Sequence, residues 1–225
     1  MLEVILDTET TGISISEKHK IIEIGCIELN NLIPTNNVFH AYLNPERPVS
    51  AEAFKVHGYS DQFLSKQKLF SEISENFLNF IKGKKLVIHN APFDLSFLDY
   101  ELRLINQKPI DRVNIVDTLE MARQKYPGSH NSLDALCKRY SIDNSRREKH
   151  SAIIDCQLLK EVYINLLDQK EPKLNLENLN LSDFKIKNLN LYNKSNKRKI
   201  IKPSQKELEL HKEYLKISLP KNHYS

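Results

Sequence analysis

Leu2-Glu3-Val4-Ile5-Leu6-Asp7-Thr8-Glu9-Thr10-Thr11-Gly12 begins as an apolar run and ends on two acids and a glycine. The run from Leu2 to Leu6 reads as a strand. Side chains two apart on a strand share a face, so Asp7 and Glu9 project together where the strand gives way to a turn. Two carboxylates 4 Å apart repel by roughly 4 kcal/mol at an effective dielectric of about 20. A cation between them would relieve this, and hard divalent ions such as Mg²⁺ favour carboxylate oxygens. Gly12 allows a turn tight enough for a ligand to approach closely. Taken alone, one D-x-E is more simply a solvated acidic turn; the rest of the chain overturns that reading.

Working outward, Ile21 to Leu29 is rich in β-branched residues and predicts a second strand, and Asn36 to Leu43 a third. The polar Asn30-Asn31 and Pro34 to Asn37 pieces favour a hairpin-like connection. Ser50 is placed to cap a short helix that His57-Gly58 ends. Phe70, Ile73, Phe77, Phe80 and Ile81 recur at helical spacing, and Gly83 stops that helix. Lys85 to His89 reads as a strand. Pro92 then suits the first turn of a helix reaching about Asn106. Asn114 to Val116 is a brief strand, and helices follow from Asp117-Thr118, from Ser132 to Tyr140, and from Ser151 to about Asp168. Three strands followed by helices alternating with two short strands imply an α/β fold, a mixed sheet flanked by helices.

The expected domain organisation is a body over 1–168, a flexible linker over 169–200 and a terminal segment over 201–225. From Glu171 onward there are 12 Lys and Arg against 6 Asp and Glu, a net of +6 that leaves the body near −2. A basic tail suits a nucleic-acid or protein partner and equally a solvated linker. Within it, Pro203-Ser204-Gln205-Lys206-Glu207 resembles a capped helix start, with Leu208, His211 and Leu215 on one face. So short a helix is expected to order on a partner. Cys26, Cys137 and Cys156 are odd in number, lack metal-site spacing and sit in apolar stretches, which makes them small buried hydrophobes. No leader pattern and no run of about 18 apolar residues occurs, so a cytoplasmic setting without membrane association is expected.

Two further acids interrupt apolar stripes. Asp94 shares a helical face with Leu98, Leu102 and Ile105. Asp155 precedes Leu158, Leu159, Val162 and Leu166 on the core-facing side of its helix. Burying an unpaired charge is costly, so each needs a partner. For Asp94 the start of its own helix is one candidate. For Asp155, a metal shared with Asp7 and Glu9 is another. His150 lies five residues before Asp155, about 140° away on a continuous helix, so the two converge only if His150 sits on the preceding loop. The unperturbed pKa of a histidine side chain, near 6.5, suits the residue type to general-base work.

Asp7-Thr-Glu9-Thr-Thr-Gly, His89-Asn-Ala-Pro-Phe-Asp94-x-x-Phe97-Leu98 and His150-x4-Asp155, in that order, resemble the three motifs of the DEDDh 3′–5′ exonuclease family. Val116-Asp-Thr-Leu, Tyr126-Pro-Gly, Asn131 to Tyr140 and Ile142-Asp-Asn-Ser are similar to the branch of proofreading (epsilon) subunits of bacterial DNA polymerase III. The likeness covers about residues 2 to 168 well and the tail loosely, mainly at Pro203 to Tyr214. It implies an RNase H-like fold and two Mg²⁺ or Mn²⁺ ions held by Asp7, Glu9, Asp94 and Asp155, with His150 as the general base. It also implies substrate contacts at Asp7, Glu9, Thr11, Gly12, Glu52, His57 and Asp155, and removal of mispaired 3′-terminal nucleotides from DNA. The partner it implies for the tail is the polymerase catalytic (alpha) subunit. Gln169 to Leu174 is a poor match to a clamp-binding pentapeptide, which leaves the sliding clamp a doubtful partner. Two rivals remain: an RNA-processing exonuclease using the same carboxylates, and a non-catalytic scaffold.

Overall fold

The computed structural model describes residues 1–145, 147, 149–168 and 203–218. The expected linker and the Gln169 to Leu174 stretch lie outside the described residues. The chain divides into two compact units, Met1–Leu176 and Glu177–Ser225.

The first unit is built on one five-stranded sheet. Its strands are β1 (Leu2–Thr10), β2 (Ile21–Asn30), β3 (Ile33–Tyr42), β4 (Lys85–Ile88) and β5 (Ile115–Asp117), in the order β3-β2-β1-β4-β5. The β1–β2 and β2–β3 pairs are antiparallel, and β1–β4 and β4–β5 are parallel. This is the mixed sheet expected from the element order. β1 lies at its centre and is buried on both faces, which is why it reads as a continuous apolar run rather than an alternating one. Val4 and Leu6 pack on one side with Phe77, Phe97 and Leu98. Ile5 packs on the other with Leu136, Leu159 and Val162.

Two boundaries differ from expectation. β1 does not end at Leu6, because β2 pairs with it as far as Thr10↔Ile21, with a register shift after Glu9. Asp7 and Glu9 therefore project from the strand itself. β2 and β3 are joined by Asn31 and Leu32 alone, both at positive φ (50° and 66°). That combination matches the twist of a two-residue hairpin. β3 thus starts earlier than expected and contains Pro34, paired with Leu29. It is an edge strand, so the missing N–H costs the ladder little.

The flanking helices are α1 (Ala51–His57), α2 (Asp61–Leu64), α3 (Phe70–Ile81), α4 (Ala91–Leu104), α5 (Thr118–Lys125), α6 (Leu133–Tyr140) and α7 (Ala152–Leu166). Ser50 caps α1 by accepting from the Ala53 N–H at 3.1 Å. The short α2, capped by Ser60, is an addition to the expected elements. Cys26, Cys137 and Cys156 are free and buried.

In the second unit the described element is α8 (Gln205–Ser218). Ser204 Oγ accepts from the Glu207 N–H, and Glu207 Oε2 accepts from the Ser204 N–H at 2.7 Å. This is the reciprocal cap expected from the spacing. Leu208, Leu210 and Tyr214 are exposed. Among the described residues no helix is long and apolar enough to cross a membrane.

Candidate active site

Pairing between β1 and β4 stops at Ile5↔Val87, so the C-terminal half of β1 extends past β4. Asp94, in the first turn of α4, takes over beside it. Its Oδ1 accepts from the Thr8 N–H at 3.0 Å and the Thr8 hydroxyl at 2.7 Å. The partner of this buried acid is therefore β1 rather than its own helix end alone. On the other face, α7 crosses β2 so closely that a Cβ on Gly25 would come within 2.6 Å of the Ala152 backbone. This contact places Asp155, one turn into α7, beside the acids of β1. His150 lies on the loop before α7, as expected, and its N–H donates to the Val56 carbonyl at 3.1 Å. Its Nδ1 is 3.5 Å from Asp155 Oδ2 and 4.0 Å from Glu9 Oε1.

Asp7, Glu9, Asp94, Asp155, Arg147 and His150 line one cavity of about 590 Å³. Arg147 was not anticipated. Its Nε and Nη2 donate to the two Asp155 oxygens at 2.5 and 2.6 Å, and its Nη1 donates to Asp134 at 2.6 Å. Nη2 also lies 2.9 Å from His150 Nδ1. A guanidinium only donates, so His150 Nδ1 accepts there and the proton of the neutral ring sits on Nε2. Nothing in the sequence marks Arg147, because it lies in a charged run that reads as a surface loop.

Burial pushes the Asp7 carboxyl well above its ordinary range, with Asp94, Asp155 and Glu9 adding and Arg147 opposing. Burial likewise raises Glu9 to about 8, reinforced by Asp155 and Glu23. Asp94 rises to about 7 by burial despite its bonds to Thr8. For Asp155 burial also acts upward, but its closeness to His150 and its pairing with Arg147 outweigh it and lower the pKa. The site is short of positive charge. Crowded carboxylate oxygens of this kind fit a hard divalent cation. The ligand atoms of Glu9, His150 and Asp155 all lie within 4.8 Å of one another.

A pH dependence follows. Glu9 and Asp94 bind protons more tightly folded than unfolded, so their contribution is fully present below their unfolded pKa values near 4. It is lost as pH rises through about 7 and about 8. In EDTA the thermal midpoint of the protein is expected to fall between pH 5 and pH 8, and Mg²⁺ or Mn²⁺ to flatten that fall. A flat profile in EDTA would show that Arg147 alone balances the site.

Thr8, Glu9 and Phe93 also line a second, adjoining cavity of about 460 Å³, together with Gly12, Glu52 and His57. Glu52 is exposed on α1, and His57 is buried. His57 Nδ1 accepts from the Tyr59 N–H at 3.0 Å, which leaves Nε2 as a donor with no partner among the described residues. Burial lowers the His57 pKa to about 4, so the ring is neutral. Gly12 lines this cavity, but its missing side chain is filled from within: a Cβ there would meet the His19 ring at 2.4 Å. Thr11 lies beneath the wall. Its hydroxyl bonds His19 Nδ1 at 2.9 Å and accepts from the Lys20 N–H at 3.1 Å. Phe93 and His19 were not singled out from the sequence. Phe93 stood inside the second motif, one residue before Asp94, and was readable from it.

A sequence model of the exonuclease family, RNase T, matches residues 4–163. The DNA polymerase III subunit epsilon of Rickettsia felis is 44% identical over 217 residues, covering 95% of both chains. That of Escherichia coli is 49% identical over 170 residues, 72% of this chain and 70% of that one. Solved structures share the fold at low identity. The nuclease domain of 3′hExo, a DEDDh family member bound to rAMP, superposes with a TM-score of 0.65 at 18% identity over 75% of this chain and 92% of that one. Exonuclease I superposes with a TM-score of 0.67 at 15% identity, over 76% and 41%. The architecture is thus the RNase H-like exonuclease fold, and the chain belongs to the exonuclease family, within it to the DNA polymerase III epsilon subunits.

Proposed function

We propose that this protein is a 3′–5′ exonuclease that trims mispaired nucleotides from DNA 3′ ends as nucleoside 5′-monophosphates, proofreading for a replicative polymerase. The observation that carries the reading is the convergence of Asp7, Glu9, Asp94, Asp155 and His150 beside a second cavity that can take a nucleotide. The four carboxylates are the groups that would hold two Mg²⁺ or Mn²⁺ ions. Bound there, such ions neutralise phosphate charge and stabilise the attacking and leaving oxygens of an in-line displacement.

The chain's own groups supply the rest. His150 accepts the proton of the attacking water. The tautomer selected by Arg147 leaves the lone pair on Nδ1, so that nitrogen is the acceptor once Arg147 releases it. His57 offers its free Nε2–H to an acceptor on the terminal nucleotide, and Glu52 accepts from a sugar hydroxyl at the rim. Gly12 and the turn above Thr11 form the floor of that pocket, and Phe93 presents a ring to the base. A mispaired terminus frays with less unpairing energy, which favours its entry without any reading of sequence. The exposed side of α8, with Leu208 and Tyr214, suits the polymerase catalytic subunit as partner. In this reading residues 169–200 link the exonuclease body over 1–168 to a polymerase-binding segment over 201–225, in the cytoplasm.

The test is Mg²⁺-dependent release of a labelled nucleotide from matched and mispaired primer–templates, with an RNA oligonucleotide of the same sequence. Release from the mispaired DNA end is expected to be about tenfold or more faster than from the paired end, since a base pair's stacking is worth ~1.4 kcal/mol. Activity confined to RNA moves the function to RNA processing, and none at all leaves a scaffold.

A further inference from the structure

Glu23 is fully buried near the start of β2, in register with Glu9 across the β1–β2 pair. It interrupts the apolar run Ile21-Ile22-x-Ile24, where an apolar residue would pack at no desolvation cost. Replacing a buried ionic group by a well-packed apolar one is often neutral or stabilising, so stability alone does not account for it. Its carboxylate is saturated by four donors from three segments. His40 Nε2 donates to Oε1 at 2.8 Å from β3. The Ser151 hydroxyl donates to Oε1 at 2.9 Å, and the Ala152 N–H to Oε2 at 3.0 Å. The Tyr59 hydroxyl donates to Oε2 at 2.9 Å.

Two of these segments carry site groups. Ser151 and Ala152 stand between His150 and Asp155 and form the start of α7. Ser151 makes no side-chain cap to its own helix; Glu23 satisfies the first α7 N–H from the neighbouring strand and adds a negative charge at the helix N-terminus. Tyr59 stacks on His57, with ring centroids 5.2 Å apart and planes inclined by 20°, and its N–H is the donor to His57 Nδ1. One carboxylate therefore ties the start of α7, beside the proposed proton acceptor, and the wall of the nucleotide pocket to the strand that faces Glu9.

We propose that Glu23 is a positioning residue for the reaction, with one arm through Ser151 and Ala152 setting His150 and Asp155 against Glu9, and a second through Tyr59 setting His57. This rests on the assignment of His150 and Asp155 to the chemistry and of His57 to the nucleotide pocket. The arms can be cut separately. Ser151→Ala is expected to lower kcat about tenfold with KM little changed, because small misplacements of reacting groups cost up to ~10²-fold. Tyr59→Phe is expected to raise KM about fivefold with kcat little changed, the pattern of lost binding common to ground and transition states. Glu23→Gln, similar in shape but bringing a donor to a site already filled with donors, is expected to do both.

Imidazole NMR resonances give a readout independent of turnover. Ser151→Ala should move those of His150, Tyr59→Phe those of His57, and Glu23→Gln both. Variants that lower only the thermal midpoint, with kcat, KM and both imidazoles unmoved, would overturn the proposal. If wild type proves inactive while the imidazoles respond as stated, the positioning role stands and the nuclease assignment fails.

Discussion

An Asp7→Asn variant is expected to release 3′ nucleotides at least about a thousandfold more slowly than wild type, yet to unfold at a higher temperature in EDTA. Both effects come from one charge. Asp7 sits among Asp94, Asp155 and Glu9, and burial and that company push its carboxyl far up. Without a cation the amide is the better guest there, because it removes the repulsion and keeps the shape. With a cation the same amide withholds a negative oxygen ligand. A metal contact to reacting phosphate oxygens contributes several kcal/mol, and each ~1.4 kcal/mol is tenfold in rate. Asp155→Asn should lose activity as severely but move stability the other way. Arg147 would keep its buried position and lose its two-point partner. Breaking one side of a buried ion pair costs about 3–5 kcal/mol. Single-turnover release and thermal scans in EDTA on the two variants check the pair. Activity within tenfold of wild type in Asp7→Asn would remove that residue from the chemistry.

His150→Ala is expected to lower kcat by ~10²–10⁴-fold, the usual contribution of a positioned general base, and to leave KM close to wild type. Its side chain is 42% exposed, so truncation leaves no large cavity. Arg147 retains its bonds to Asp155 and Asp134. The informative companion measurement is Mn²⁺ affinity. The ligand atoms of His150, Glu9 and Asp155 lie within 4.8 Å of one another, which makes a metal-ligand role the alternative to be tested. Unchanged Mn²⁺ affinity with collapsed kcat identifies a base. A parallel fall in both identifies a ligand.

The acids were legible because burying a charge breaks a pattern. Asp94 and Asp155 stood on apolar stripes, and both are buried at the site with named partners. Glu23 carries the same signal inside an apolar run, but the β-branched residues around it mark a strand without marking the acid. Strand and helix types followed from periodicity, and differences arose where tertiary pairing decides. β1 runs to Thr10 because β2 continues beside it, and β3 accommodates Pro34 because, among the described residues, no strand pairs with its outer edge. Gly12 was marked for a close approach, and a close approach is what it makes, but to the His19 ring. Arg147 was invisible, since only the folded chain brings a charged loop over Asp155.

The central position of β1 also bears on synthesis. Asp7 and Glu9 leave the ribosome first, whereas Asp155 arrives on the last helix of the body, and the sheet around β1 is completed by β4 and β5 from much later in the chain. Pairings between segments so far apart in sequence form late in folding. A nascent or truncated chain thus holds the opening motif without its closing helix and has no assembled centre with which to cut DNA. The proposed centre is complete only with the finished body, so a chain truncated before Asp155 is expected to show no nuclease activity.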